Sequence, residues 1–482
     1  MKVDLSLLAP HIFLFSWAIL IFVFDFFWNK EKKHNLGYLS LVGIAATFFL
    51  NCLPLQGGLF GNMFLSDDFS RFFNLIFLGA AFLAVLSSID YLKNVKYNRG
   101  EYFSLILLST VGMMLLSSAN ELLFLYVSLE LTTISLYVLV AYLKDDYKSS
   151  EAGLKYLILG AVSSAILLYG ISIIYGLTGT TSLYYIPRAI AAVFLNTFVF
   201  DPALVLGLIF LIAGFSFKLA LVPFHMWAPD VYEGAPTPIT AYLSIASKTA
   251  GLVAFIRVFF QSFLILQIKP VEWISLIAIL AAFSMILGNI VALSQTNIKR
   301  MLAYSSIAQV GYILIGVVAA SATGIASIGF YVLVYLFANM GAFIIAIVFS
   351  RFTNSDNIPD YAGLSKRSPF LGILMSIFML SLVGIPPLAG FAGKYYLFSA
   401  AIEQGYIWLV VVAILTSVIS LYYYAGVIKQ MYFSVASDQS SIKTTVNLKV
   451  ALIICVAGVL ACGIYPQPFI QLAQQAAAIF HY

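Results

Sequence analysis

Four ionisable side chains lie inside long apolar segments of this 482-residue sequence: Glu130, Lys218, Lys248 and Lys394. A charged side chain at the centre of a lipid bilayer costs at least about 2.5–3.5 kcal/mol. Loss of water weakens the hold of a lysine on its proton, and a nearby carboxylate strengthens it again. This combination of residue types therefore predicts a proton relay. The alternative, structural ion pairs or side chains that reach out to water, leaves two of the lysines without an acid.

The composition indicates that lipid is the solvent for most of the chain. Hydrophobic residues make up 62% of the sequence and charged residues 9%, against roughly 25% charged residues in an ordinary soluble domain. So little polar surface excludes a soluble enzyme, a disordered chain and a nucleic-acid-binding protein. We expect an all-α polytopic membrane protein that forms a single membrane domain over residues 1–482.

Apolar runs between polar breaks predict about 14 membrane-spanning helices, because one span needs about 20 mostly apolar residues. The predicted spans are 5–28, 36–53, 69–92, 102–118, 121–143, 153–177, 203–229, 237–260, 271–294, 298–320, 324–350, 369–401, 406–433 and 447–465. No linker between them is long enough for an extramembrane domain.

The lysine and arginine residues of the loops predict the orientation. Seventeen of the 25 basic residues fall after odd-numbered spans, and five, Arg257 among them, fall on the opposite side. Basic residues concentrate in cytoplasmic loops. We therefore expect the richer side in the cytoplasm and both termini outside. The remaining three basic residues, Lys218, Lys248 and Lys394, lie inside predicted spans and are assigned to neither side.

Helix-breaking residues interrupt two of the spans that carry a lysine. Pro223 and Pro229 follow Lys218 in the seventh span, and the run Gly-Ile-Pro-Pro at 384–387 precedes Lys394 in the twelfth. Discontinuous helices at mid-membrane mark ion sites in many transporters. Both spans also contain the pattern G-F-x-x-K, at 214–218 and 390–394. Because they are five spans apart, we predict two inverted five-helix repeats, over 102–260 and 271–433.

Motifs for a metal, a haem or a nucleotide are missing. The three cysteines form no C-x-x-C pair, and neither a G-x-G-x-x-G nor a P-loop pattern occurs. We expect no cofactor in this chain.

Four stretches resemble the antiporter-like membrane subunits of proton-pumping NADH:quinone oxidoreductase, respiratory complex I. They are VPFHMWAPDVYEGAPTPITAYLSIASKTAG (222–251), SQTNIKRMLAYSSIAQVGY (294–312), GIPPLAGFAGK (384–394) and SEAGLKYLILGAVSSAILLYG (150–170). The last stretch and the run D-V-Y-E-G-A-P narrow the resemblance to the subunit N type.

The resemblance implies 14 spans, two inverted repeats and discontinuous seventh and twelfth helices. It also implies a proton channel through Glu130, Lys218, Lys248 and Lys394. Our hypothesis is that Glu130 and Lys218 form a switchable pair, that Lys248 is the central relay, and that Lys394 exchanges protons with the outer face. Flavin, iron–sulfur clusters and quinone belong to partner subunits. The neighbours are other antiporter-like subunits and small membrane subunits, in a bacterial inner membrane.

Three positions keep their alternatives open. Many relatives carry histidine where this chain has Gln309, which cannot titrate, and glutamine there is similar to the corresponding subunit of photosynthetic-type complexes. A thylakoid-type membrane and another electron donor therefore remain alternatives. Lys155 is interpreted as a solvated helix-end lysine or as part of a proton uptake path. His225 is interpreted as an anchor for the bend or as the lining of a water path.

Two other classes of function compete with this interpretation. An Mrp-type cation/proton antiporter has the same fold but runs without NADH or quinone. A scaffold that only joins neighbouring subunits would gain nothing from four intramembrane charges. Nothing in the sequence defines a pocket for an organic solute, which disfavours a permease.

Overall fold

The computed structural model of the protein describes residues 4–29, 33–94, 99–197, 202–264, 272–435 and 440–480. The chain forms a bundle of α-helices with one antiparallel hairpin, β1 (Gly57–Leu59) and β2 (Phe64–Ser66). The helices are α1 (Ala9–Phe27), α2 (Asn35–Asn51), α3 (Asp68–Tyr91), α4 (Arg99–Ser117), α5 (Leu122–Val140), α6 (Tyr147–Thr178), α7 (Ile186–Thr197), α8 (Pro202–Leu219), α9 (Trp227–Gly234), α10 (Thr237–Phe263), α11 (Trp273–Ala292), α12 (Ile298–Val318), α13 (Ala322–Thr353), α14 (Leu364–Arg367), α15 (Pro369–Val383), α16 (Ala389–Glu403), α17 (Ile407–Phe433), α18 (Val446–Ile464) and α19 (Gln467–Ala477). Short 3-10 turns cover Leu5–Leu8, Leu92–Asn94, Ile358–Tyr361 and Ala478–Phe480.

Twelve helices within the described ranges are long and apolar enough to cross a membrane. Two shorter apolar helices, α2 and α15, occupy the places of the second span and the first half of the twelfth. Each span predicted from the sequence has helix at its position. The multi-pass helical fold predicted from composition is thus confirmed.

Polar side chains set the starts of several helices. Glu121 accepts a hydrogen bond from the Phe124 amide at 2.6 Å at the start of α5. Asn297 accepts from the amides of Lys299 and Arg300 at the start of α12. Such caps satisfy amide groups that have no partner within the helix. The cap at Glu121 explains why the turn between α4 and α5 can be so short.

The seventh predicted span is two helices, α8 and α9, with residues 220–226 between them. Ala220 has a left-handed φ of 56°. The Leu221 amide donates to the Ser216 carbonyl at 2.9 Å, and the Trp227 indole donates to the Phe217 carbonyl at 3.0 Å. Backbone groups freed inside a membrane must find partners in the protein or in water. Here protein groups supply them.

The twelfth predicted span is likewise two helices, α15 and α16, separated by residues 384–388. Gly384, with φ 95°, closes α15, and its amide donates to the Leu380 and Ser381 carbonyls. The pattern G-F-x-x-K does not occupy the same place in the two spans. It ends α8 before the first break, whereas it begins α16 after the second break. The five-letter match therefore does not align the two breaks.

The structure corrects the use of one residue as a loop charge. Arg257 lies inside α10, within the predicted span 237–260, and its side chain is fully buried. It forms an ion pair with Asp67 at the start of α3, which compensates its charge. Of the 22 basic residues assigned to the two sides, five lie outside the described residues: Lys2, Lys30, Lys32, Lys96 and Lys269.

Ion pairs elsewhere in the bundle agree with the division of the loops into two sides. Four pairs join residues assigned to the lysine-rich side: Lys33 with Asp25, Lys93 with Asp90, Lys148 with Glu233, and Lys299 with Asp356. Arg71 pairs with Asp68 on the other side. Contacts over a few ångströms can only join groups at the same end of the bundle.

The sequence did not predict three short elements between or beyond the spans. The hairpin of β1 and β2 lies between α2 and α3, and α7 lies in the linker before α8. Helix α19 follows the last predicted span and packs on α13 and α3. All three are too short to register as apolar runs of spanning length.

Candidate functional site

The three lysines left over by the loop assignment are buried at irregular points of their helices. Lys218 is the residue before the last of α8, Lys248 directly follows a π-helical turn at Leu243–Ser247, and Lys394 lies in the second turn of α16. Their side chains are 5%, 3% and 5% exposed. Burying a charge without a partner is costly, so the groups around each ammonium decide what it can do.

Lys218 contacts a hydroxyl and not a carboxylate. Its Nζ donates to Ser164 Oγ of α6 at 3.2 Å. No ion pair of 4.0 Å or less joins it to Glu130, although the charge of Glu130 acts on it across the gap. The two groups predicted to form a switchable pair are therefore neighbours but are not in contact in this conformation.

Glu130 is the least satisfied of the four predicted residues. It is half-buried on α5, its Oε2 accepts a long 3.5 Å bond from Thr133, and its buried Oε1 accepts no hydrogen bond from the residues that the structure describes. It lies on the face of α5 that also carries the exposed side chains of Val127 and Ile134. A carboxylate with so few partners is free to change its contacts.

Lys248 is held between two helices of opposite halves of the chain. Its Nζ donates to Ser306 Oγ of α12 at 2.7 Å and lies 5.5 Å from the centre of the Tyr232 ring. One turn further along α10, Gly251 allows close approach, because a Cβ there would lie 3.3 Å from the Cβ of Lys218. Lys218 and the helix of Lys248 are thus packed directly together.

Lys394 binds the end of the helix that precedes its own. Its Nζ donates to the Val383 carbonyl at 2.7 Å and to Ser417 Oγ of α17 at 2.8 Å, and it lies 4.4 Å from the centre of the Tyr312 ring. The last carbonyls of a helix have no partner within it. The break thus supplies an acceptor for the ammonium group.

Helix α12 connects the surroundings of Lys248 to those of Lys394. Gln309, one turn after Ser306, donates from Nε2 to the Leu382 carbonyl at 3.1 Å and accepts a hydrogen bond from Tyr331. Leu382 and Val383 are adjacent, so neighbouring carbonyls bind the Gln309 amide and the Lys394 ammonium. The glutamine that cannot titrate is placed in the middle of the connection.

Further hydroxyl and amide groups line the same helix, and sequence reasoning did not single them out. Ser305 bonds Tyr424, and Tyr312 donates to Thr416 at 3.2 Å and accepts from Asn289 at 3.1 Å. The signal was the spacing of Ser305, Ser306, Gln309 and Tyr312, which puts them within about two turns of one helix. It could not reveal their partners on other helices.

The second half of the broken seventh helix is fixed by charge. On α9, Asp230 accepts from Lys155 at 2.7 Å and from Arg300 at 2.9 Å. Glu233 accepts from Lys148 at 2.9 Å and from Arg300 at 3.0 Å. Burial raises the pKa of both carboxyls, but the hydrogen bonds from these cations outweigh it and hold each pKa below its usual value.

This cluster shows where Lys155 lies. It pairs with both Glu151 and Asp230, so it ties α6 to α9. His225 lies in the break between α8 and α9, where its carbonyl accepts from the Ala228 amide at 3.0 Å. Its ring is buried, and Nδ1 makes no hydrogen bond to any part of the chain that the structure describes.

Within the described ranges, no group of three or more histidine, cysteine, aspartate or glutamate side chains is placed to hold a metal ion. The three cysteines are free. The polar groups near the lysines are hydroxyls, amides and carbonyls, which can hold waters and protons.

Comparison with known proteins agrees with this architecture. Residues 119–420 match the family described as NADH:quinone oxidoreductase/Mrp antiporter, TM. The NADH-quinone oxidoreductase subunit N of Moorella thermoacetica is 45% identical over 455 residues, which cover 93% of each chain. The chain belongs to the subunit N family of NADH-quinone oxidoreductase. The resemblance predicted from the four sequence stretches is thereby confirmed.

Solved structures share the fold of this subunit N family member over nearly its whole length. A chain of respiratory complex I from Thermus thermophilus with bound aureothin has a TM-score of 0.81 and 31% identity, with 96% of this chain and 99% of that chain covered. A chain of the Mrp complex from Dietzia sp. has a TM-score of 0.83 at 19% identity, covering 98% and 97%. At that identity the second likeness concerns the fold alone.

Proposed function

We propose that this chain is a proton-translocating membrane subunit of NADH:quinone oxidoreductase. One observation carries the proposal: three buried lysines from different helices each donate to a hydroxyl, and α12 connects two of them. None of the three forms an ion pair within the described residues. Lysines that are buried without a carboxylate contact can exchange protons through hydroxyls and water, whereas tight ion pairs would hold the charge in place.

Each of the four residues has a role in this proposal. Glu130 and Lys218 act as a switch: when the carboxylate approaches the ammonium, Lys218 holds its proton, and when it withdraws, the proton passes on. Lys248 receives it, and Ser306 and Gln309 guide waters towards Lys394. Lys394 then releases the proton to the outer side.

The topology of the proposal follows the sequence prediction. The twelve long helices together with α2 and the pair α15 and α16 give 14 crossings, with the lysine-rich side in the cytoplasm and both termini outside. The two breaks, between α8 and α9 and between α15 and α16, support inverted repeats over residues 102–260 and 271–433. The G-F-x-x-K pattern does not support them, because it lies at different places relative to the two breaks. The membrane is the bacterial cell membrane.

Electron transfer belongs to the partners of this chain. Relatives are named as subunits of NADH-quinone oxidoreductase, and the sequence has no C-x-x-C pair and neither a G-x-G-x-x-G nor a P-loop pattern. We infer that redox energy released in other subunits reaches this chain through its membrane neighbours, and that it acts by shifting Glu130 relative to Lys218.

The test uses the assembled complex in native membrane vesicles. Lys218→Ala, Lys248→Ala and Glu130→Ala should each lower the number of protons moved per NADH oxidised, at equal amounts of assembled complex. Lys366→Ala is the matched control. It replaces an exposed lysine of the short helix α14 and should pump like the wild type. Undiminished pumping in all three site variants would refute the relay.

A sodium-dependent antiporter remains the rival because the Mrp chain has the same fold. It would move Na⁺ without NADH or quinone. Purifying the chain from its native membrane and identifying the proteins that accompany it separates the two: redox subunits favour our proposal, and Mrp-type subunits alone favour the rival.

A further inference from the structure

Helix α10, which carries Lys248, is interrupted on both sides of its central part. A π-helical turn at Leu243–Ser247 precedes the α-helical segment Lys248–Val258, and a second one at Phe259–Phe263 follows it. Short π-helical turns inside α-helices are rare and occur frequently at functional sites. The segment Lys248–Val258 is therefore an eleven-residue rod with an irregular turn at each end.

Each end of this rod is held by one long basic side chain. Lys248 is its first residue and has one hydrogen bond to another helix, to Ser306. Arg257 is its last residue but one and is far more strongly held. Its Nη1 and Nη2 groups donate to the two carboxylate oxygens of Asp67 at 2.7 Å each, and its Nε donates to the Ser117 carbonyl at 3.0 Å. The guanidinium also lies 4.9 Å from the centre of the Phe69 ring.

The groups that Arg257 binds are themselves fixed. Asp67 caps α3 by accepting from the Ser70 amide at 2.8 Å, and Ser117 is the last residue of α4. Bidentate pairs between arginine and carboxylate are both strong and specific in direction. Arg257 thus connects one end of the rod to the start of α3 and to the end of α4, and its side chain is fully buried.

We propose that Arg257 is a positioning residue for the relay: it is the fixed pivot of the Lys248–Val258 rod, about which Lys248 changes its contacts. The inference rests on the proposed role of Lys248. The asymmetry between the two ends decides which end moves. Three charge-assisted hydrogen bonds hold the Arg257 side chain, whereas the Lys248 ammonium has one hydrogen bond within the described residues, to Ser306, and the more distant Tyr232 ring.

The test replaces the arginine without removing its charge. In assembled complex, Arg257→Lys keeps a cation beside Asp67 but loses the bidentate geometry and the bond to Ser117. We expect near-normal assembly, with a loss in protons moved per NADH and a shifted pH profile of pumping. A residue that only stabilises the fold would change the amount of complex and leave both readouts per complex unchanged.

A second variant guards against misfolding. Removing one partner of a buried pair is strongly destabilising, whereas removing both charges together is often tolerated. The double variant Arg257→Gln/Asp67→Asn should therefore assemble, with the same loss in protons moved per NADH. The control is Arg71→Gln, which breaks the more exposed pair of Arg71 with Asp68 on the same side and should leave the ratio unchanged.

The outcomes separate the two proposals. If Lys248→Ala lowers the ratio but both assembled Arg257 variants pump with the wild-type ratio and pH profile, the pivot is refuted and the relay stands. If Lys248→Ala itself leaves the ratio unchanged, the relay fails. Failure of both Arg257 variants to assemble would also overturn the pivot, since the pair would then serve only to hold the fold.

Discussion

Lys394 donates a hydrogen bond to the carbonyl oxygen of Val383 across the break in the twelfth predicted span, at 2.7 Å. The residue that ends one half-helix thereby binds the charge carried by the other half. The neighbouring carbonyl, that of Leu382, accepts from Gln309. A break that would be costly in lipid is thus satisfied by the side chains that we assign to proton transfer.

The weak attachment of Glu130 gives the first prediction. Glu130→Gln should leave the amount of assembled complex unchanged, because the carboxylate accepts only one long hydrogen bond from the protein. Proton pumping per NADH should fall, since a neutral amide cannot act on Lys218. The control is Glu121→Gln at the start of the same helix, which removes the negative charge of a helix cap. That charge is worth about 0.3–1 kcal/mol, so the variant should be slightly less stable and keep the same number of protons moved per NADH.

The contact of Lys248 with Ser306 gives the second prediction. A hydrogen bond to a charged group is worth about 1.5–3 kcal/mol, so Ser306→Ala should slow proton pumping about tenfold or more while the fold is kept. Ser87→Ala is matched to it: this buried serine bonds only to the Ala84 carbonyl of its own helix. Equal pumping rates in the two variants would contradict the role of Ser306.

Two glycines distinguish the break from an ordinary helix surface. A Cβ at Gly390 would lie 1.7 Å from the Ser381 carbonyl oxygen, whereas a Cβ at Gly426 of α17 would meet nothing within 4 Å. Gly390→Ala should therefore prevent α15 and α16 from packing, and little chain should accumulate in the membrane. Gly426→Ala should be neutral or raise stability by about 0.5–1 kcal/mol. Quantitative blotting and thermal unfolding of the purified complex measure both effects.

Arg300 bridges the two carboxylates of α9 and so predicts how that half-helix is held. Arg300→Gln should increase hydrogen exchange of the α9 amides, because Asp230 and Glu233 lose their common partner on α12. Lys299→Gln, one residue earlier, breaks a pair with Asp356 instead. Its α9 amides should exchange as in the wild type, and faster exchange in both variants would argue against a specific bridge.

The pH dependence of this cluster follows from the lowered pKa of Asp230 and Glu233. A carboxyl with a lowered pKa in the folded state stabilises the protein above its unfolded pKa of about 4, and the stabilisation is lost as the pH falls through the lower folded value. The protection of α9, corrected for intrinsic exchange, should therefore stay constant from pH 8 to pH 5. A loss of protection within that range would show that the carboxyls titrate higher.

The amino-acid sequence by itself determined the membrane fold, the positions of the spans, the two breaks and the four ionisable residues. Each of these depends on local quantities: the length of an apolar run, a proline or glycine within it, or a charge where lipid penalises one. The family followed from contiguous motifs. None of these inferences needs to know which helices are neighbours.

Only the tertiary structure decided the partners. It separated Glu130 from Lys218, gave Lys248 and Lys394 their acceptors on Ser306, Val383 and Ser417, and showed that the Arg257 side chain is buried in the core. The physical reason is that these contacts join residues far apart in the chain, and composition and spacing carry no information on how helices pack. A hydroxyl that accepts a hydrogen bond from a buried lysine and one that bonds its own helix look the same in the sequence.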